Sequence, residues 1–169
     1  MARVICYSDR DGNVCVVVPA PSARRRGETV AEFLARIAAK DAPPGAIVID
    51  DANLPTDRKF RAAWVIANGA VVHDMAKART IHLRRIRAKR NALLRATDGL
   101  VVKANEVGDT ATADQLRALR QRLRDIPADI SASIDAAADA AALDAITSAA
   151  LSEAESVLDS TTIVLASRT

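Results

Sequence analysis

The chain has 169 residues, half of them hydrophobic, and a formal net charge of +3. That length suits one domain, or a small domain with an extension. No apolar run approaches the roughly 20 residues a bilayer span requires, which argues against a membrane partner. Charge and shape-forming residues are unevenly spread. All four aromatics and five of the six prolines fall within the first 64 residues. Between Ala76 and Thr97 there are eight Lys/Arg and no acid; between Ala128 and Ser167 there are seven acids and no base.

In chain order, Arg3–Tyr7 and Val14–Val18 are β-branched runs around Asp-Arg-Asp-Gly-Asn, a hairpin signal. No signal-peptide core precedes them, so cytoplasmic synthesis is expected. A four-residue loop over Asp9–Gly12 would set Cys6 opposite Cys15. A strained cross-strand disulfide is then conceivable, but buried free thiols fit cytoplasmic synthesis better. Pro19 and Pro21 end the second strand, and Ser22–Gly27 with its three arginines reads as an exposed loop. Thr29 and Glu32 form a capping box for a helix whose Val30, Phe33, Leu34 and Ile37 share one face. Asp41–Gly45 stops it. Ala46–Ile49 is a short strand and Asp50–Arg58 a polar loop. Phe60–Ala67 and Ala70–His73 then form a second hairpin around Asn68-Gly69, a dipeptide suited to positive φ.

These elements predict an α+β fold: residues 1–73 form a small sheet with one covering helix, and residues 74–169 a helical arm, bundle or coiled coil. Asp74 caps a helix to about residue 96, and Asp98-Gly99 opens a loop. A capping box at Thr112 and Gln115 starts a helix over 112–125. Pro127 opens a last helix over about 128–158, roughly 45 Å long at 1.5 Å per residue. Ile130, Ile134, Leu143, Ile146 and Val157 lie on its narrow apolar stripe, whose small residues allow close helix approach. With no aromatic to build a core, this arm must pack helix on helix, within the chain or with copies of itself, and a homo-oligomer is expected. Thr161–Leu165 reads as a frayed end in preference to a strand.

Chemistry is sparse. Six scattered glycines form no phosphate-binding loop or dinucleotide fingerprint, so no cofactor is expected. His73 and His82 lack further ligands at metal spacing. Asp50, Asp51 and Asp57 read as turn and cap residues rather than an acid/base pair. We therefore expect no enzyme. The basic helix is the strongest interaction signal, with Lys77, Arg79, Arg84, Arg85, Arg87, Lys89, Arg90 and Arg95 as candidate contacts. Phosphate binding is one use of such charges. The absence of interleaved aromatics disfavours nucleic acid and favours an acidic protein surface, this chain's own tail included.

Two stretches carry a resemblance. Val4-Ile5-Cys6-Tyr7, Asp11-Gly12-Asn13-Val14, Val18-Pro19, Ile37–Gly45, Ile47–Asp50 and Leu54-Pro55-Thr56-Asp57-Arg58-Lys59-Phe60-Arg61-Ala62-Ala63-Trp64 resemble small proteins from the tail regions of tailed bacteriophages. Arg90–Asp98 and Leu119-Arg120-Gln121-Arg122-Leu123-Arg124-Asp125-Ile126-Pro127 resemble the carboxy-terminal pattern of phage tail assembly chaperones and tail-fibre accessory proteins. Gly99 and Leu119 stand where that pattern has tryptophan and tyrosine, and the acidic segment after Pro127 is additional. The resemblance implies a phage tail locus without fixing one role; the leading expectation is a non-enzymatic structural or accessory component of the tail, made in the host cytoplasm and located in the virion. Its partners would be other tail or fibre proteins, docked by the head, with intersubunit contacts through the arm. An assembly chaperone absent from the mature virion is the alternative, and a basic DNA-binding factor the second.

Overall fold

The computed structural model describes residues 2–166. The chain divides into two compact units, Met1–Ala78 and Arg79–Thr169. The fold is α+β, with small antiparallel sheets first and long helices after them.

In the first unit, β1 (Arg3–Ser8), β2 (Val14–Val17) and β3 (Ile47–Asp50) form an antiparallel sheet in the order β2-β1-β3. The pleat divides the central strand between two cores. Ile5 packs with Phe33, Leu34 and Ile37 of α1 (Val30–Asp41). Val4 and Cys6 face the other way, toward Leu54, Trp64 and Val71. That second face is covered by the hairpin of β4 (Trp64–Ala67) and β5 (Ala70–His73). Being covered on both sides explains why β1 is an unbroken apolar run rather than an alternating one.

The Thr29–Glu32 capping box forms as expected, with Glu32 N–H donating to Thr29 Oγ1 at 3.2 Å. Asn68 (φ 50°) and Gly69 (φ 74°) both take the left-handed conformation that the tight β4–β5 turn demands. Two local expectations change. The first hairpin loop holds five residues, because Asp9 Oδ1 accepts from the N–H of both Asp11 (2.9 Å) and Asn13 (2.8 Å). These bonds, Asn13 foremost, hold the Asp9 carboxyl below its usual range. The register becomes Cys6↔Val16 and Tyr7↔Cys15, so the cysteines point to opposite faces and are free. Burial pushes the Cys6 thiol up, away from reactivity. Phe60–Ala63 is also not strand. Ala63 N–H donates to the Phe60 carbonyl at 2.8 Å, closing a tight turn before Trp64.

The second unit contains most of α2 (Met75–Glu106), then α3 (Thr110–Asp129), α4 (Ser131–Ala136), α5 (Ala140–Asp144) and α6 (Ala149–Ala166). Helix α2 runs straight through the expected loop at Asp98-Gly99 and stops only at Glu106. Pro127 does not start a helix. It sits in the last turn of α3, where it forfeits a single intrahelical donor. A continuous helix over 128–158 does not form, and Thr161–Leu165 is neither strand nor frayed end but lies within α6.

The break in the tail has a physical origin outside its own sequence. Arg79 Nε donates to the Ile134 carbonyl at 3.1 Å, and its Nη2 to the Ala137 carbonyl at 3.0 Å. His82 Nε2 lies 3.0 Å from the Ile146 carbonyl, which can only accept, so this nitrogen carries the hydrogen. Asp139 then restarts the helix by accepting from Ala142 N–H at 2.7 Å. Two side chains one turn apart on α2 thus satisfy carbonyls at the places where the alanine-rich segment bends.

Candidate protein-interaction site

The α2–α3 hairpin is built by its turn. Gly108 takes φ 71°, and Asp109 N–H donates to the Ala104 carbonyl at 2.8 Å, closing α2. Asp109 then caps α3, its carboxylate accepting from Thr112 N–H (3.1 Å) and Thr112 Oγ1 (2.9 Å). So short a connection makes the helices antiparallel neighbours, and the buried alanines Ala104 and Ala113 pack with Leu100 next to the turn.

Further from the turn, Arg120 of α3 pairs with Asp98 and approaches Thr97 Oγ1 at 3.5 Å. Thr97 is fully buried and donates to the Leu94 carbonyl at 2.7 Å. Arg117 reaches Asn105 Oδ1 at 3.1 Å. The two quoted stretches, Arg90–Asp98 and Leu119–Pro127, therefore meet through Arg120. Sequence reasoning missed this junction, because nothing in either segment alone says that Arg120 faces Asp98. Leu119 is buried at the position of the pattern's tyrosine, and Gly99 lies on an exposed stretch of helix.

The basic residues of α2 separate into two groups. Arg79 is committed to Ile134 and Ala137, Lys89 pairs with Glu155 at 2.9 Å, and Arg90 is half-buried, bonding Asn91 Oδ1. Arg122 of α3 likewise pairs with Glu153 at 2.7 Å. The acidic tail thus meets basic helices of its own chain, through exposed pairs individually worth about 0–1 kcal/mol. Lys77, Arg84, Arg85, Arg87 and Arg95 are exposed. Among the described residues, Arg84, Arg87 and Arg95 have no carboxylate partner. At 100° per residue these three project from the side of α2 opposite Ile86, Thr97 and Ala104.

The tail stripe is placed differently from its expectation. Ile130, Ile134 and Leu143 are buried within the single chain, and Ile146 and Val157 are half-buried. Helix α3 packs on α4 and α6, which also bury Leu151 and Ala154. No second copy is needed to cover the first three.

In the first unit, the Leu54–Trp64 stretch is a packing device. Leu54, Phe60 and Trp64 are buried, and Arg58 and Arg61 lie over the Trp64 ring at 5.4 and 5.8 Å. Trp64 Nε1–H donates to His73 Nε2 at 3.2 Å. Asp57 accepts from Lys59 N–H, and Asp50 lies 4.0 Å from Arg3. Among the described residues no group of three or more His, Cys, Asp or Glu is placed to hold a metal ion. None of the described helices is long and apolar enough to cross a membrane.

Residues 83–132 match the model of the phage tail assembly chaperone protein family. The chain resembles phage tail assembly chaperones, as its motifs implied. The matched stretch is the α2–α3 hairpin, from Leu83 through the Gly108 turn to the start of α4. It contains the Arg120–Asp98 junction and the exposed Arg84, Arg87 and Arg95. No curated protein and no solved structure matches the chain. The family match supports a role in tail assembly, a role that in this family is generally non-enzymatic.

Proposed function

We propose that the chain is a tail assembly chaperone, which binds a tail or fibre subunit during assembly and is released before the particle is complete. The observation that carries this reading is the family match over the α2–α3 hairpin. The exposed basic side of α2 supports it: three arginines that have no carboxylate partner among the described residues suit an acidic surface on a subunit that must later be let go. Such contacts are steered by charge and weakened by salt, which favours transient association.

A permanent multi-copy tail component would use the tail stripe as a contact between copies. Ile130, Ile134 and Leu143 are buried within one chain, which leaves the half-buried Ile146 and Val157 of that stripe for a neighbour. The test is affinity co-isolation of the tagged chain from phage-producing cells. The chaperone reading expects a tail or fibre subunit to co-purify, and expects recovery to fall at least tenfold for the Arg84→Glu, Arg87→Glu, Arg95→Glu variant. Undiminished recovery with the folded variant removes the basic side of α2 from the mechanism. Retention of DNA in place of a protein, lost in the same variant, supports the DNA-binding alternative instead.

A further inference from the structure

The first unit lies outside the family match and carries a surface of its own. Strand β2 is an edge strand, and among the described residues no element besides β1 bonds to the backbone of Val14–Val18. Natural edges are blunted by charge, a bulge or a covering segment, since an open ladder invites another strand. Val14-Cys15-Val16-Val17-Val18 has no charge, and Val18 is 68% exposed. Two cavities flank Val18 and share Ala2 as a wall. The one beside α1, about 240 Å³, is lined by Val18, Val30, Phe33 and Leu34 with Arg3 and Arg24. The other, about 350 Å³, is lined by Val4, Val16 and Leu54 with Arg58 and Arg61. Four arginines and one acid, Asp51, line these two cavities, and Arg3 lies 4.0 Å from Asp50 outside them. Among the described residues Arg24, Arg58 and Arg61 pair with no carboxylate.

We propose that this edge is a docking site for an extended segment of a partner protein, apolar at its centre and acidic at its flanks. The segment adds to β2 as a further antiparallel or parallel strand. Its main chain takes the open ladder groups of Val14–Val18, alternate apolar side chains enter the two cavities, and its carboxylates meet the arginines. Charge complementarity selects this occupant, because a neutral or basic strand would leave the arginines facing apolar or like-charged groups. Pro19 ends the available ladder, so the added strand is short.

The proposal does not depend on the chaperone reading, which concerns the α2–α3 hairpin, and either can fail alone. The test uses the full chain and a fluorescein-labelled peptide of about eight residues, alternating valine and threonine with paired aspartates at both ends. A lysine-flanked version is the control. Expected are saturable anisotropy, loss of binding with rising salt, and slowed amide exchange at Val14–Val18. Val18→Asp and Arg24→Glu should each weaken binding at least about tenfold, with unchanged circular dichroism because both side chains are exposed. Absence of binding by the aspartate-flanked peptide overturns the proposal. So does equal binding of the lysine-flanked one, protection elsewhere than Val14–Val18, or unchanged affinity in folded Val18→Asp. Dimerisation of the chain that Val18→Asp abolishes also overturns it, by making a second copy the occupant.

Discussion

Gly99→Ala is expected to stabilise the protein, and the sign of the change tests whether α2 is one helix. Gly99 lies inside Met75–Glu106, its φ is not positive, and a Cβ built there meets nothing within 4 Å. The substitution therefore adds no clash and removes the backbone entropy that glycine loses in a helix interior, a gain of about 0.5–1 kcal/mol. If Arg79–Thr169 melts as its own cooperative unit, that raises Tm by roughly 2–8 °C. Gly108→Ala is the internal control. Gly108 also has open space around it, but its φ of 71° is the left-handed conformation, costing an L-residue about 1–2 kcal/mol. Thermal and urea unfolding followed by far-ultraviolet circular dichroism should give opposite signs for the two variants. A loss of stability for Gly99→Ala would mean that the helix stops near Thr97, as local sequence suggests, and that the Arg120 junction is misplaced.

The other predictions concern polar ties. Arg79→Met should destabilise by about 2–4 kcal/mol, since two charge-assisted bonds vanish, the Ala137 carbonyl loses its donor and the Ile134 carbonyl keeps only the 3.4 Å bond from Ala137 N–H. Hydrogen exchange should accelerate first over residues 131–145. In the first unit, Glu28 accepts from Arg36 Nε at 2.7 Å and Nη2 at 2.9 Å, and these bonds with Arg25 N–H hold its carboxyl down to about 2 from an ordinary 4.5. A depressed carboxylate contributes stability that is fully present above 4.5 and is lost as pH falls toward 2. The urea midpoint of Glu28→Gln should accordingly lie below wild type at neutral pH and converge with it as pH falls through that window. A gap that stays constant down to the lower end would remove the ion pair as its cause.

Much of the first unit was legible because its signals are local. The Thr29 capping box, the Asn68-Gly69 turn and the β-branched runs each specify geometry within a few residues, and the structure uses them as read. The cysteine register failed by one residue, because Asp9 draws Asn13 into the loop, and one residue is enough to flip a strand face. The second unit was less legible because distant partners shape it. Gly99 looked like a stop, yet Thr97, Leu100 and Ala104 on either side are held against α3. The alanine-rich tail looked like one helix, yet Arg79 and His82 take up its carbonyls at the breaks. No window short enough to read by periodicity contains both members of such a pair. Of the candidate site, the basic charges of α2 were readable as a group. Which of them stay available was not, since Arg79 and Lys89 are spent on the tail and Arg84, Arg87 and Arg95 are left exposed.

Quantitative mass spectrometry of purified particles beside lysates of the assembling cells tests the functional account most directly. The chaperone reading predicts the chain at levels comparable to tail subunits in the lysate and its absence from finished particles. A fixed stoichiometric amount in washed, infectious particles would contradict it and restore a structural role.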